Sequence, residues 1–245
     1  MKLYFAVFTR QCGPFLKLNY SYHEYIEPKD ASIFFVDVGL KTVEQEKSAV
    51  SINYFKYVKH FALKYPTLFI LPDSWTWEKH IQYAYDSIRI LKAMNTDNMV
   101  PVIVVHYFHN YVDKYKQVVE DLHELFPIVV IGIPANIVTV SPTYHFKCVD
   151  KQVVCNQYIL SIINEVKSWD VKTHILGISK KTLEYMARNN ITNLISVDSD
   201  KAGRYITSTI RQITRKNYCE VFRKWLDGYE PVSYTHLTLP TILRV

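Results

Sequence analysis

The chain is poor in glycine and cysteine and has no long apolar segment, and each shortage excludes a class of protein. Only six of its 245 residues are glycine, and only four are cysteine: Cys12, Cys148, Cys155 and Cys219. The cysteines lack the C-x-x-C spacing of zinc and redox motifs, which predicts free thiols in a reducing cytoplasm. No apolar run approaches the roughly 20 residues of a membrane-spanning helix. Residues 1–8 are too short for a signal peptide and lack a cleavage site, so we expect a cytoplasmic protein.

Several catalytic signatures are absent as well. The chain has no H-E-x-x-H zinc motif, no phosphate-binding P-loop and no G-x-S-x-G nucleophile elbow. No glycine-rich loop follows the first predicted strand, residues 2–9, which disfavours a dinucleotide-binding, doubly wound sheet. The formal net charge of +6 is a modest excess, compatible with a polyanionic partner but not diagnostic of one.

Six short apolar runs are the most informative feature that is present, because each ends in a polar residue or a glycine. The runs are rich in β-branched residues and do not alternate with polar ones, which is typical of strands buried on both faces of a parallel sheet. In such folds the carboxyl ends of the strands carry the chemistry. The residues at the six ends are Asp37, Asp73, His106, Gly132, Gly177 and Asp198.

Segments with the apolar periodicity of a helix lie between these runs. Apolar residues recur at helical spacing over residues 42–64, 77–95, 113–125, 155–168 and 180–189. Together with the opening strand, this alternation predicts seven strands separated mostly by helices. We therefore expect an α/β fold of the (β/α)8 TIM-barrel type, truncated at its C-terminal end, with about seven βα units present.

The last residues of the chain carry a resemblance of a different kind. Residues 232–241 resemble the translated end of a transposon-type sequencing adapter. We therefore expect residues 1–231 to form a single catalytic domain that is itself a fragment. Residues 232–245 are expected to be an artefactual tail and are left out of the fold prediction.

Three of the strand ends are aspartates, which allows three interpretations. Convergent carboxylates can act at a sugar carbon, where one traps an oxocarbenium-like centre and another protonates the leaving group. Asp37, Asp73 and Asp198 can instead ligate a metal with His106 in a metal-dependent hydrolase. The three-residue spacing of His106 and His109 adds a weak indication of the same kind. In the third interpretation, each aspartate caps the helix that follows it.

The order of these segments resembles the tRNA-guanine transglycosylase superfamily, and most closely its phage-type members that insert 7-deazaguanines into DNA. Residues 196–200, S-V-D-S-D, are similar to the strand with the nucleophilic aspartate, and residues 174–178, H-I-L-G-I, to the strand that ends in a glycine below the base. Residues 102–106 occupy the place of the family's Val-Gln-Gly strand. Residues 35–39 resemble the segment with the acid/base aspartate, and residues 71–74 the segment with the base-reading aspartate. Residues 130–133 resemble a strand with a base-facing glycine.

The resemblance implies a glycosyltransferase (a pentosyltransferase) that replaces guanine in DNA or tRNA with a 7-deazaguanine derivative through a covalent aspartyl-glycosyl intermediate. Asp198 would be the nucleophile, with Asp200 as a rival, and Asp37 the acid/base. The substrate would contact Asp73, His106, Gly132, Gly177, Asp200 and Arg204. Some positions depart from the family pattern, including the histidine at position 106 in place of glutamine. These departures leave a catalytically inactive nucleic-acid-binding barrel of the same superfamily as an alternative.

A basic stretch follows the implied nucleophile. Arg204, Arg211 and Arg215 are spaced to share one helix face, and Lys201 adds to the charge. We predict phosphate contacts for Lys201, Arg211 and Arg215, with an ordinary solvated helix face as the alternative. The cysteine-rich zinc element of the family is not visible, so no cofactor or metal is expected. The expected partners are nucleic acid and a 7-deazaguanine base, and no membrane.

Overall fold

The computed structural model describes residues 2–5, 15–19, 33–38, 50–135, 137–141, 144–148, 151–189, 191 and 194–199. Within these ranges the strands are β1 (Lys2–Phe5), β2 (Phe15–Asn19), β3 (Ile33–Asp37), β4 (Thr67–Ile70), β5 (Met99–Val104), β6 (Val130–Pro134), β7 (Ile137–Ser141), β8 (Tyr144–Lys147), β9 (Lys172–Leu176) and β10 (Leu194–Ser199). The α-helices are α1 (Ile52–Ala62), α2 (Trp77–Lys92), α3 (Val112–His123), α4 (Gln152–Glu165) and α5 (Lys180–Arg188).

Eight of these strands form one parallel sheet, in the order β1-β10-β9-β6-β5-β4-β3-β2. Every residue of β4 and β5 is buried, as expected for strands that are covered on both faces. The prediction of parallel strands at the six apolar runs is therefore confirmed. β6 begins two residues later than the run at 128–131, so Gly132 lies inside the strand rather than after it.

The sheet is strongly curved, as a contact between β3 and β9 demonstrates. The rings of Phe35 and His174 stack with their centroids 4.7 Å apart, and both residues are fully buried. In the sheet order, β9 and β3 are separated by four strand-to-strand steps, which in a flat sheet would put them about 19 Å apart at about 4.8 Å per step. The two side chains therefore meet across the concave face of a curved sheet.

The expected (β/α)8 TIM barrel, truncated with about seven βα units, is wrong. The structure is an α/β half-barrel in which five parallel strands, β3, β4, β5, β6 and β9, are joined by the four helices α1 to α4. β10 and β1 extend one end of this sheet and β2 the other, and no hydrogen-bonded ladder joins β1 to β2 within the described ranges. Alternating apolar runs and helices predict βα units, but they do not show whether a sheet closes on itself.

The helices cover the outer face of the half-barrel. The helices predicted over 77–95, 113–125, 155–168 and 180–189 are confirmed, with ends shifted by a few residues. α1 occupies the later part of the predicted helix 42–64 and begins after Ser51, whose hydroxyl accepts a hydrogen bond from the Asn53 amide at 3.2 Å. Residues 42–49 lie outside the described ranges. None of the helices described is both long and apolar enough to cross a membrane.

An antiparallel hairpin, β7–β8, interrupts the parallel pattern between β6 and α4. At its end Cys148 is joined by a disulfide to Cys155 in the first turn of α4, and both residues are buried. The prediction that these two cysteines are free thiols is therefore wrong. Cys12 and Cys219 lie outside the described ranges. The spacing of Cys148 and Cys155 matches no motif, and only the fold of the hairpin brings them together.

Candidate active site

Asp73 and His106 form a buried pair at the carboxyl ends of two neighbouring strands. Asp73 follows β4, His106 follows β5, and the Nε2 atom of His106 lies 3.1 Å from Oδ2 of Asp73. Only 7% of Asp73 and 2% of His106 is exposed. The residue at the N-cap of α2 is Thr76 rather than Asp73. The capping interpretation is therefore wrong for Asp73, whose observed partner is a histidine at the end of the next strand.

The main chain at His106 is held by a buried tyrosine from α3. The Tyr115 hydroxyl accepts a hydrogen bond from the His106 amide and donates one to the His106 carbonyl, each at 2.7 Å. Burial raises the pKa of Tyr115 well above its usual value, so its hydroxyl keeps its proton and remains a donor. Tyr115 thereby satisfies both backbone groups of a residue that lies just beyond the strand ladder.

The loops after β4 and β5 are joined by further contacts. Tyr107 adopts a left-handed backbone conformation with φ of 54°, which is uncommon for a residue with a side chain. Its amide donates to Oγ1 of Thr139 at 2.9 Å, and its hydroxyl donates to the Trp75 carbonyl at 2.7 Å. The Trp75 ring lies 4.7 Å from the His106 ring, measured between centroids. Such a backbone outlier persists only where its surroundings hold it, as these contacts do.

His80 on α2 is a second buried histidine at this site. Its ring lies edge-to-face against that of His106, with centroids 5.4 Å apart, and only 2% of the residue is exposed. Burial lowers the pKa of His80 well below its usual value, the electrostatic interaction with His106 lowers it further, and the Val104 backbone partly opposes the shift. At neutral pH His80 is therefore uncharged. Neither of its ring nitrogens has a well-formed hydrogen bond within the described part of the chain.

Asp37 lies at the end of β3, on the side of the strand that faces the interior. It is two residues beyond Phe35, and because side chains alternate along a strand, it shares the concave face with the Phe35 ring. The Tyr54 hydroxyl donates to the Ile70 carbonyl at 2.6 Å. Burial raises the pKa of Tyr54 well above its usual value, and the negative charges of Asp37 and Asp73 raise it further. Both carboxylates therefore lie within electrostatic reach of one hydroxyl.

The two predicted pocket glycines have different surroundings. A Cβ atom at Gly132 would lie 3.0 Å from Val102 Cγ1 and 3.3 Å from Leu176 Cδ1, so a side chain there would require both neighbours to shift by a few tenths of an ångström. Gly177 follows β9 with φ of 69°, a left-handed conformation that favours glycine. Gly177 therefore lies directly after β9, as the sequence predicts, whereas Gly132 lies in the middle of β6.

Asp198 lies near the carboxyl end of β10, which pairs with β9 on one side and β1 on the other. Ser196 pairs with His174, so position 198, two residues further along, has the same strand phase as His174. Its backbone is described, but its side chain is not. The other predicted site residues, Asp200, Lys201, Arg204, Arg211 and Arg215, lie outside the described ranges, as does the tail at 232–245.

The two histidines that suggested a metal have different partners. His106 pairs with Asp73, whereas Nε2 of the exposed His109 lies 3.0 Å from the Ser161 hydroxyl on α4. Within the part of the chain that the structure describes, no group of three or more His, Cys, Asp or Glu side chains is arranged to hold a metal ion.

Four residues that contribute to the site were missed as site residues in the sequence: Tyr54, Trp75, His80 and Tyr115. Trp75 and His80 follow Asp73 closely, and proximity to a strand-end aspartate is a signal that could have found them. Tyr54 and Tyr115 reach the site from helices that precede or follow the strands. Nothing in the sequence distinguishes them from tyrosines that pack in the core.

No protein-family model matches the chain, and no curated protein matches its sequence. The site is therefore interpreted from its residues and their geometry.

Proposed function

We propose that the protein is a base-exchange transglycosylase that replaces guanine in nucleic acid, DNA or tRNA, with a 7-deazaguanine derivative. The proposal places the reaction in the cytoplasm, with nucleic acid and the free base as partners. The observation that carries it is the stack of Phe35 on His174, which makes β3 and β9 face each other across one concave surface. Asp37 belongs to the first of these strands, and Asp198 to the neighbour of the second.

Base exchange requires a carboxylate nucleophile and a separate proton-transfer group at one sugar. Asp37 shares the face of Phe35, and position 198 has the strand phase of His174, which supports a common site for the two aspartates. Asp73 supplies a third carboxylate just beyond β4, the strand that pairs with β3. Because all the strands are parallel, their carboxyl ends lie at the same edge of the sheet.

In the proposed reaction a carboxylate oxygen of Asp198 attacks C1′ of the target nucleotide. The bond from C1′ to the base nitrogen breaks, an ester bond forms, and the departing guanine takes its proton from Asp37. The incoming base then attacks C1′ after giving its own proton to Asp37, and the ester bond breaks to restore the Asp198 carboxylate. Asp73 accepts hydrogen bonds from the N–H groups of the base. A paired base in a duplex is out of reach, so the target is flipped out or single-stranded.

Incorporation of labelled guanine into nucleic acid tests this proposal. The purified chain is incubated with labelled guanine and, in separate reactions, tRNA or DNA, and label in the polymer is counted. We expect incorporation by the wild-type chain, and a loss of at least about a hundredfold in Asp198→Asn, because the amide is a poor nucleophile. Asp97→Asn makes the same change at an exposed loop position and is the matched control.

Denaturing electrophoresis with labelled nucleic acid provides a second measurement. A covalent adduct formed by wild type and Asp97→Asn, but not by Asp198→Asn, would support Asp198 as the nucleophile. Equal adduct from all three would remove Asp198 from this role and favour Asp200. Nucleic-acid binding with neither incorporation nor adduct would contradict the proposed activity.

A further inference from the structure

We propose that His106 is a positioning residue that holds one oxygen of Asp73, so that the other oxygen is presented to the bound base. This inference rests on the proposed function, since it gives Asp73 its base-reading role. It concerns a residue that the resemblance places in contact with the substrate. The observed partner of His106 is instead a carboxylate of the protein.

The donor in this pair is identified by its chemistry. An ionised carboxylate only accepts hydrogen bonds, so the His106 Nε2 atom, 3.1 Å from Oδ2 of Asp73, carries the proton. The other oxygen of Asp73, Oδ1, has no hydrogen-bond partner among the described residues, and the Asp73 side chain is 10% exposed. One oxygen is therefore occupied, and the other has capacity for a ligand.

Because the Asp73 carboxylate is buried, it needs the His106 imidazole as a hydrogen-bonding partner. A carboxylate that is nearly withdrawn from water is strongly disfavoured unless a hydrogen-bonded partner compensates it. Within the described chain, His106 is the residue that does so for Asp73. Without His106 the carboxylate would take up a proton or turn toward solvent, and either change would weaken its bonds to the N–H groups of a base.

His106 is itself held more rigidly than an incidental ion-pair partner would require. Tyr115 binds both its amide and its carbonyl, and the Trp75 ring packs against the imidazole. The following residue, Tyr107, is kept in a left-handed conformation by bonds to Thr139 and to the Trp75 carbonyl. A fixed imidazole fixes the rotamer of the carboxylate that it binds, which is the preorganisation that base recognition needs.

Affinity for labelled guanine, measured by equilibrium dialysis, tests the inference independently of turnover. His106→Leu removes the donor, and we expect the guanine Kd and the KM for guanine to rise about tenfold or more, the scale of one lost hydrogen bond to a charged group, with kcat changed less. His106→Gln places an amide N–H close to the position of Nε2 and should restore both values to within about threefold of wild type. His109→Gln, at an exposed histidine bonded to Ser161, is the matched control and should bind guanine as wild type does.

Rescue by glutamine is the decisive result. Glutamine supplies an N–H donor and leucine does not, so a role of His106 in packing alone would not predict better guanine binding by His106→Gln than by His106→Leu. Equal guanine affinity in wild type, His106→Leu and His106→Gln would overturn the inference, as would equal losses in both variants. Nitrogen NMR of the His106 ring tests the pair without any ligand: Asp73→Asn should shift the Nε2 resonance, and Asp97→Asn should not. An unshifted resonance also overturns the inference.

The two proposals fail in distinguishable ways. If exchange proceeds normally and guanine affinity is unchanged in His106→Leu, the role of His106 is overturned but the transglycosylase proposal is not. In a second outcome, guanine binding depends on the donor at position 106 but no exchange occurs. That result supports the positioning role of His106 and contradicts the transglycosylase activity. A wild-type chain that neither binds nor exchanges guanine contradicts both.

Discussion

The ring of Phe35 on β3 stacks against the ring of His174 on β9, although three strands lie between β3 and β9 in the sheet. This contact crosses the concave face and is evidence that the sheet curves enough for its two halves to touch. Asp37 is two residues beyond Phe35, and Gly177 is three beyond His174. The stack therefore lies directly beneath the edge at which the strand-end residues collect. The distance between the strand ends on the two sides of the candidate site therefore depends on the curvature of the sheet.

Replacing Phe35 with alanine should show how much this buried ring contributes to the stability of the fold. Phe35 is fully buried, and loss of a buried phenylalanine leaves a cavity that costs about 3–5 kcal/mol. We expect the free energy of unfolding in urea to fall by that amount in Phe35→Ala. Leu63→Ala removes an apolar side chain that is 71% exposed and should change it by less than about 0.5 kcal/mol. Similar losses in the two variants would mean that the stack is not an important contact.

The strands were the most predictable part of this fold. A central strand of a parallel sheet is covered on both faces, so its side chains are apolar without alternation, and β4 and β5 show this pattern over their whole length. The location of Asp73 and His106 at adjacent strand ends follows from the same pattern. Their contact does not, because whether a carboxylate turns toward its neighbour or toward solvent depends on side-chain packing.

Two parts of the strand structure are not predictable from apolar runs. β2, F-L-K-L-N, contains two polar residues, Lys17 and Asn19, and therefore lacks the continuous apolar run of a doubly covered strand. The β7–β8 hairpin is antiparallel and lies outside the parallel sheet, so it follows a different pattern. The curvature of the sheet was also beyond the sequence pattern, since the contact that demonstrates it, Phe35 with His174, joins two strands that are not neighbours in the sheet.

The Tyr115 hydroxyl should be one of the more important single polar groups in the molecule. Tyr115→Phe removes the partner of both the amide and the carbonyl of His106 in a fully buried setting. Unsatisfied buried polar groups cost about 1–3 kcal/mol each, so we expect the free energy of unfolding in urea to fall by about 2–6 kcal/mol. Tyr83→Phe, at a half-buried tyrosine of α2, is the matched control and should change stability by less than about 1 kcal/mol. A near-neutral Tyr115→Phe would show that these two hydrogen bonds contribute little.

The Cys148–Cys155 disulfide should stabilise the junction between the hairpin and α4. It closes a short loop with a sequence separation of seven, for which the loss of unfolded-chain entropy predicts a contribution of about 2 kcal/mol. We expect dithiothreitol to lower the midpoint of thermal unfolding in wild type. The double variant Cys148→Ser, Cys155→Ser should begin at the lower midpoint and should not respond to the reductant. If the reductant lowers the midpoint of the double variant by an equal amount, the effect arises from other cysteines.

Stability should fall in mild acid because of His80. In the unfolded chain this histidine titrates at about pH 6.5, whereas burial and then the electrostatic interaction with His106 lower its pKa in the folded protein well below that value. Below about pH 6.5 the unfolded chain therefore binds a proton that the folded protein does not. The free energy of unfolding should accordingly fall with decreasing pH by up to about 1.4 kcal/mol per pH unit, until the folded-state pKa is reached.

The titrating groups nearest to His80 are His106 and Tyr115, and Asp73 lies behind His106, so the effect must be isolated by substitution. Urea unfolding of wild type and His80→Leu between pH 7.5 and pH 5 provides the measurement. The variant should show a shallower slope and so gain stability relative to wild type as the pH falls. His109→Gln removes an exposed histidine and should keep the wild-type slope. If His80→Leu and wild type lose stability in parallel, the acid sensitivity arises elsewhere, and His80 is not held neutral by its surroundings.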